Sequence, residues 1–493
     1  MLNCFLGVDI GTTQMKAAIV DERGGIIDMV NEENYVYRPH DGWSELDMEE
    51  IWQKLCGLTQ ALAARNPAAS HQLAGVGITA VGEGLWPLDS EKRPVRRAIL
   101  WNDTRARDLN ISNREAINGL LVKNSVTPLC SGSPPVILRW LKEHEPEHYR
   151  RTAYGVHCGD WLNYRLTGRL ATDQTLASTA TINVKTQEYF FELFELLGIG
   201  EKAETMPELK QTTDIVGCIT GEAARATGLR YGTPVIAGAL DAAATAFGAG
   251  ACKQGDACTV FGTSLCNVAL LGEEQVDHTN PCGSTLCGIA PGTFLRMMST
   301  GCGSAAIDWA KRAFAPELYF DELERQISLA PMGSNGLIFH PYLSGERAPF
   351  KDAFASGGFY GLTASHTRMD MVRAAYEGLI LSLKDCYREI PKGYTRAFAA
   401  GGGAGSDLLC SLMASAIGVP VHRPSQKQLG IVGITAALRY GLGYTKVLEP
   451  QVTDGGSFYP NQREAEQLEQ LYARYVSLRD CVREDWHTPK PQL

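Results

Sequence analysis

The 493-residue chain contains no Gly-Lys dipeptide, hence no Walker lysine, and it has no G-x-G-x-x-G fingerprint and neither the His-Arg-Asp nor the Asp-Phe-Gly element of protein kinases. The P-loop, Rossmann and protein-kinase routes to a nucleotide are thereby excluded. It has no Cys-x-x-Cys pair either: 14 cysteines lie scattered from Cys4 to Cys481. That spacing argues against a disulfide framework or a zinc knuckle and predicts reduced core residues in a cytoplasmic enzyme. No apolar run approaches the roughly 20 residues that cross a bilayer, and the opening MLNCFLGVDIGTT lacks the basic region of a signal peptide. Positive charge is not in excess, with a formal charge of -9 and a pI near 5.7. Nucleic acid and membrane partners are therefore not expected. The segment HEPEH at 144–148 fits a zinc-protease pattern in letters, but Pro146 breaks the helix that would bring both histidines to one face.

What is present begins with length. A chain of this size exceeds what one hydrophobic core serves, and 44% hydrophobic with 20% charged residues describes a globular protein of at least two domains. Residues 5–19, FLGVDIGTTQMKAAI, place an apolar strand, Asp9 and a Gly11-Thr12-Thr13 turn directly before a second strand. Such a turn points N–H groups and hydroxyls into one concavity suited to phosphate, and an aspartate at the strand end can hold magnesium through water. A second copy stands at 257–271, ACTVFGTSLCNVALL, where Gly262, Thr263 and Ser264 repeat the turn. The recurrence predicts internal duplication, with a nucleoside triphosphate clamped by two hairpins.

Between the hairpins the patterns alternate. Residues 26–30 continue the first hairpin into a meander, 46–64 have helical spacing, 73–79 read as a buried strand and 98–102 as a short strand. Helical segments include 137–141 and 161–166, and the first domain is expected to close with a strand at 233–238 and a helix opening at Asp241. The second domain reads as helices at 304–314 and 368–388, a strand at 396–400, a helix at 408–417 and a charged amphipathic helix at 461–485. With no low-complexity tract or long flexible linker, a hinge joins the halves, assigned as 1–245 and 246–493.

Several polar residues suggest chemistry. Gly401-Gly402-Gly403-Ala404-Gly405-Ser406-Asp407 lies between a strand and a helix, where a ring or phosphate can approach the backbone closely. Transfer to a hydroxyl needs a group to take the proton, and Asp241 in GALDAAATAF is the choice; an N-cap is the alternative, and the two roles are compatible. Glu83, the run Trp101-Asn102-Asp103 and Asp160 lie at strand or loop ends, where carboxylates, amides and an indole face suit a polyol, although each is also an ordinary loop residue. Glu346-Arg347 reads as a domain-closing ion pair or a turn.

The segments DIGTT, ILWNDTRA, WLNYRLTG, VFGTS, PYLSGERAP, GFYGLTASHTRMDMVRAAYEGL and AGGGAGSD stand in the order found in the FGGY family of carbohydrate kinases, which the whole chain resembles. The resemblance implies an α/β fold of two ribonuclease-H-like, actin-type domains flanking a nucleotide cleft, the first holding the sugar and the second adenosine. It implies ATP and Mg2+ as cofactors and Asp241 as catalytic base. Carried over residue by residue, Asp9 is similar to the metal-associated aspartate, Thr12, Thr13 and Lys16 to first-hairpin phosphate contacts, and Gly262 with Thr263 to those of the second. Gly303 and Ile307 match positions beside the nucleotide, and Gly402, Gly403, Ala404 and Asp407 the adenosine site. Gly82, Glu83, Trp101 and Asn102, with Asp241, fall at the substrate site. The segments HDGWSELDMEEIWQ and ILRWLKEHEPEHY look most like L-xylulose and related pentulose kinases. At 82–83 D-xylulose kinases usually carry Met-His and glycerol kinases Arg-Glu, so Gly82-Glu83 keeps the glutamate without the arginine. The expected acceptor is a ketopentose such as L-xylulose, with a short polyol (erythritol, glycerol) or an aldonate as alternative. Members of the family are often homodimers, though no motif here marks an interface. The reading from another class is an actin-like ATPase driving a protein partner; the VFGTS turn and the lack of an appended peptide-binding domain count against it. A non-catalytic sugar sensor would have no need of both Asp9 and Asp241.

Overall fold

The computed structural model describes residues 3–107, 109, 111, 114–276 and 282–488. The chain forms two compact units. The first comprises Met1–Cys252, Gly272–Leu295 and Gln428–Gln451, and the second Lys253–Leu271, Arg296–Lys427 and Val452–Leu493.

In the first unit, strand Cys4–Ile10 runs antiparallel to Gln14–Val20, which continues into Ile26–Glu33, and on its other side runs parallel to Leu73–Ala80. The sheet then adds Pro234–Ile236 and Ile215–Cys218, and the two-residue strand Ala239–Leu240 pairs with the end of Leu73–Ala80. Strand Cys4–Ile10 carries apolar residues on both faces, all of them buried, as expected of a central strand covered on both sides. Helix Met48–Arg65 starts at Asp47, whose carboxylate accepts from the N–H groups of Glu49 and Glu50, a side-chain cap. On this unit, helices Asp241–Gly248 and Leu429–Gly441 pack on each other. They approach so closely that a Cβ at Gly433 would lie 2.1 Å from the Ala244 carbonyl oxygen. A separate apolar cluster around Leu85, Ile99, Leu121 and Trp140 supports the loops at 82–84 and 100–103.

The second unit repeats the opening. Strand Asp256–Phe261 runs antiparallel to Leu265–Leu271 and parallel to Arg396–Ala400, followed outward by Val421–Pro424 and Asp454–Phe458. A hairpin whose first strand gains a parallel neighbour from a later segment thus occurs in both units, which is the topology that duplication predicts. Helix Arg368–Arg388 is buried over most of its 21 residues and opens with a capping box, in which Thr367 and Asp370 exchange side-chain bonds to backbone N–H groups. The last helix, Gln462–Trp486, buries only Leu468, Tyr475 and Trp486, as its charged pattern implies.

One expectation changes, and the helix break expected at Pro146 is found. The strand at 98–102 is confined to Ala98–Ile99, and Asp103 N–H closes a turn on Leu100, so Trp101 and Asn102 stand in a loop. The HEPEH segment spans two helices: Pro134–His144 ends before Glu145, and Pro146 begins Pro146–Arg151. His144 Nδ1 lies 3.1 Å from the Trp140 carbonyl and His148 Nδ1 2.7 Å from Glu145. Among the described residues no group of three or more His, Cys, Asp or Glu is arranged for a metal, and no helix is long and apolar enough to cross a membrane.

Candidate active site

The first hairpin turn is closed by Gly11 N–H on the Gln14 carbonyl at 2.9 Å. Asn34, at the end of the third strand, steadies it from outside: its side chain donates to the Gly11 carbonyl at 2.9 Å, and its own N–H to Thr13 at 2.8 Å. Thr13 is left exposed. Asp9 faces Lys16 across the ladder. Burial pushes the Asp9 carboxyl up, and the Lys16 ammonium opposes that rise.

Asp241 is the first residue of its helix, and Leu240 occupies the cap position. Among the described residues the one hydrogen bond given to its carboxylate is from the neighbouring Ala242 N–H, at 2.6 Å. The N-cap alternative is therefore not what its side chain does. Burial first, and the Asp9 charge second, push its pKa up to about 7. A carboxylate held near neutrality beside a second carboxylate is the environment expected of a proton acceptor.

Around this pair lie the residues expected at a polyol site. Trp101 donates its indole N–H to Thr12 Oγ1 at 3.0 Å, tying the loop at 100–103 to the hairpin turn. The Asn102 Oδ1 is buried without a hydrogen-bond partner among the described residues, as an atom awaiting a ligand donor would be. Glu83 adopts a left-handed backbone, φ 53°, and its Oε2 lies 3.7 Å from Cys130 Sγ. Gly82 is overlaid by Leu240, whose Cδ1 would lie 2.1 Å from an added Cβ. Both carboxylate oxygens of Asp103 are engaged within the protein, whereas Asp160 keeps one buried oxygen, Oδ1, without a hydrogen-bond partner among the described residues. Asp103 is consumed by Arg105 at 2.8–2.9 Å and by Ser44 N–H at 2.7 Å. Asp160 closes the start of its helix on His157 N–H and Nδ1.

In the second unit the Gly262-Thr263 turn and Gly402-Gly403 line one cavity of about 510 Å³, together with Ile307. Several of its other walls come from residues outside those motifs. Phe320 and Leu409 are apolar, while Asp308, Asp321 and Glu324 offer acceptors; Tyr376 OH donates to Glu324 at 3.0 Å. Apolar walls with a few polar groups in this volume suit a purine base. Gly303 supports the hairpin from behind: its N–H donates to the Thr263 carbonyl at 2.7 Å, and an added Cβ would lie 2.4 Å from the Ser264 carbonyl carbon. Ala404 is buried beside the glycine run. Asp407 is not among the lining residues; its carboxylate pairs with Arg423 at 2.7 Å, and the same guanidinium nitrogen bonds the carbonyls of Ala404 and Gly405. Glu346 is buried and accepts from Gly301 and Arg347 N–H groups at 2.5 and 2.8 Å, so it ties down a turn.

A base candidate with a phosphate-type hairpin in one unit, and a hairpin opening on a base-sized cavity in the other, define an enzyme of phosphoryl transfer. Comparison with known proteins gives the family. The model of the FGGY family of carbohydrate kinases, N-terminal domain, matches residues 4–248, and that of its C-terminal domain matches 257–440. The chain belongs to this family and is an ATP-using sugar kinase with the two-domain actin-like fold. It is 28% identical to the xylulose kinase of Bacillus subtilis over 96% of both chains. It is 30% identical to the L-xylulose/3-keto-L-gulonate kinase of Escherichia coli, over 90% of this chain and 89% of that one. The ligand-bound xylulose kinase of Lactobacillus acidophilus superposes with a TM-score of 0.90 at 25% identity, over 98% of this chain and 99% of that chain.

Proposed function

We propose that the protein phosphorylates a ketopentose, L-xylulose or another pentulose, with the γ-phosphoryl group of ATP. The observation that carries this is the Asp241–Asp9 pair: one carboxyl held near neutral pH at a helix start, beside the loops bearing Glu83, Trp101 and Asn102. The relatives named for xylulose and L-xylulose supply the acceptor class.

In this reading Asp241 takes the proton of the acceptor hydroxyl as that oxygen attacks the γ-phosphorus and the bond to the β,γ-bridging oxygen breaks. Asn102 and Glu83 receive hydroxyls, and the Trp101 ring packs on the carbon chain. Thr12, Thr13 and Lys16, and in the second unit Gly262 and Thr263, hold phosphate oxygens. The cavity beside Gly402 and Gly403 takes the adenine, with Asp308, Asp321 and Glu324 available to its exocyclic amine. Asp407 holds the glycine run through Arg423. The residues present suit magnesium, because Asp9 and Asp241 are hard oxygen donors near enough for one charge to act on the other and one or two carboxylates with nucleotide phosphates are its usual protein ligands. Bound there by Asp9, the ion would offset negative charge on the transferring group. The acidic charge and the use of ATP fit a cytoplasmic enzyme, and the family resemblance leads us to expect a homodimer.

A second reading has a specific observation behind it: the Escherichia coli relative is also named for 3-keto-L-gulonate. The test compares kcat/KM for L-xylulose, D-xylulose, L-ribulose, 3-keto-L-gulonate, gluconate, erythritol and glycerol. A pentulose leading the others by tenfold or more supports the proposal, and an aldonate or polyol in that place replaces it.

A further inference from the structure

The direction of the Asp241 carboxylate is set by the two residues before it, and the structure grips them from three sides. Ala239–Leu240 pairs in parallel with Thr79–Ala80, and Thr79 Oγ1 donates to the Ala239 carbonyl at 3.0 Å. The Leu240 side chain lies over Gly82, its Cδ1 2.1 Å from where a Cβ would stand. The third grip comes from Thr175, 65 residues upstream: Leu240 N–H donates to Thr175 Oγ1 at 2.7 Å. Thr79, Ala80, Thr175, Ala239 and Leu240 are each at most 4% exposed, so a Leu240 N–H deprived of its partner would find no water to replace it.

A threonine hydroxyl can turn its proton either way, and it accepts from Leu240 only if that proton points elsewhere. Asp173 settles the direction. Its Oδ1 takes the Thr175 hydroxyl proton at 2.5 Å and the Thr175 N–H at 2.7 Å. An N-terminal cap on the short helix Gln174–Ala177 would account for the N–H bond alone; it does not account for a hydroxyl shared with the residue preceding the base.

We propose that Thr175, oriented by Asp173, is a positioning residue for the transfer step: it fixes the backbone at Leu240 and thereby the aim of Asp241. The proposal rests on the reading of Asp241 as base. Neither residue need touch sugar or nucleotide, so their loss is expected in kcat and not in binding.

The test uses full-length Thr175→Val, Thr175→Ala and Thr175→Ser, each alone and with Asp241→Asn. Valine keeps the shape without the hydroxyl, and alanine serves in its place if valine does not fold. Either is expected to lower kcat roughly ten- to hundredfold with KM for ATP and pentulose within about twofold, as a small misalignment does. Serine is expected to restore kcat to within about threefold, and Asp173→Asn, whose amide oxygen still accepts the hydroxyl proton, to be tolerated likewise. On the Asp241→Asn background, loss of the Thr175 hydroxyl is expected to cost nothing further. A kcat within twofold of the parent, failure of serine to rescue, or an undiminished loss on that background overturns the proposal while leaving the base in place. Parental turnover in Asp241→Asn alone removes the base, and this proposal with it.

Discussion

Replacing Asp241 by asparagine exerts two opposite effects that a damaged fold cannot imitate. The carboxyl rises from an ordinary 3.8 to about 7 in the folded protein, through burial and the Asp9 charge. A rise of about three pH units corresponds to about 4 kcal/mol at most, and partial access to solvent screens this to about 1–2 kcal/mol. A folded pKa above the unfolded one means that the folded state binds the proton more tightly. The contribution is full below about pH 4 and is lost as pH rises through about 7. At pH 8 the ionised side chain therefore opposes folding, and asparagine, which stays neutral, relieves it. Thermal unfolding of the metal-free protein in a chelator is expected to show the variant melting a few degrees higher at pH 8, with the gain shrinking toward pH 5. Turnover is expected to fall by about 10²–10⁴-fold, with ATP affinity changed little. In the parent, kcat/KM is expected to fall at acid pH as the base becomes protonated. Near-parental turnover would refute the catalytic assignment. A lower melting temperature at pH 8 would refute the electrostatic one.

Three further outcomes follow from the two units taken separately. Turnover should vanish on chelation and return with magnesium, and Asp9→Asn should raise the magnesium concentration for half-maximal rate at least tenfold; an unchanged requirement would place the ion elsewhere. A Cβ at Gly402 meets nothing within 4 Å, so Gly402→Leu should fold normally yet extend into the base cavity, raising KM for ATP about tenfold or more with the acceptor KM unchanged; unaltered ATP kinetics would remove adenine from that cavity. Gly303→Ala forces a methyl against the backbone of Ser264 and Leu265, so it should weaken nucleotide binding and lower the melting temperature by several degrees. Parental behaviour in both would show that the turn yields without consequence.

The parts of this molecule that were legible in the sequence are those with local causes. Apolar strands on both sides of Gly11-Thr12-Thr13 and of Gly262-Thr263-Ser264 announce both hairpins. Asp241 stood out as a candidate because GALDAAATAF gives a carboxylate little reason to be there for solvation, a helix cap being the alternative. What was missed depends on contacts between distant segments. Asp103 looks like a sugar ligand in sequence, yet Arg105 and the Ser44 N–H take both its oxygens. Asn34 and Thr175 look like ordinary polar residues, and only the folded chain brings one to Gly11 and the other to Leu240. The acidic residues Asp308, Asp321 and Glu324 fit solvent-facing helical patterns, and it takes the tertiary fold to turn them onto a cavity. Likewise no local pattern shows that Leu429–Gly441 packs on Cys4–Ile10, more than four hundred residues upstream.

In the proposed reaction the terminal phosphoryl group of ATP goes to a sugar hydroxyl with Asp241 as base. The most direct measurement follows ATP labelled in its γ-phosphate, with magnesium and a saturating pentulose, and counts label in sugar phosphate, in free phosphate and in ADP formed. The expected result is one sugar phosphate per ADP, little free phosphate, and loss of both products in Asp241→Asn. Release of free phosphate at the same rate with and without acceptor, and undiminished in that variant, would contradict it and point to an ATPase that acts on something other than a sugar.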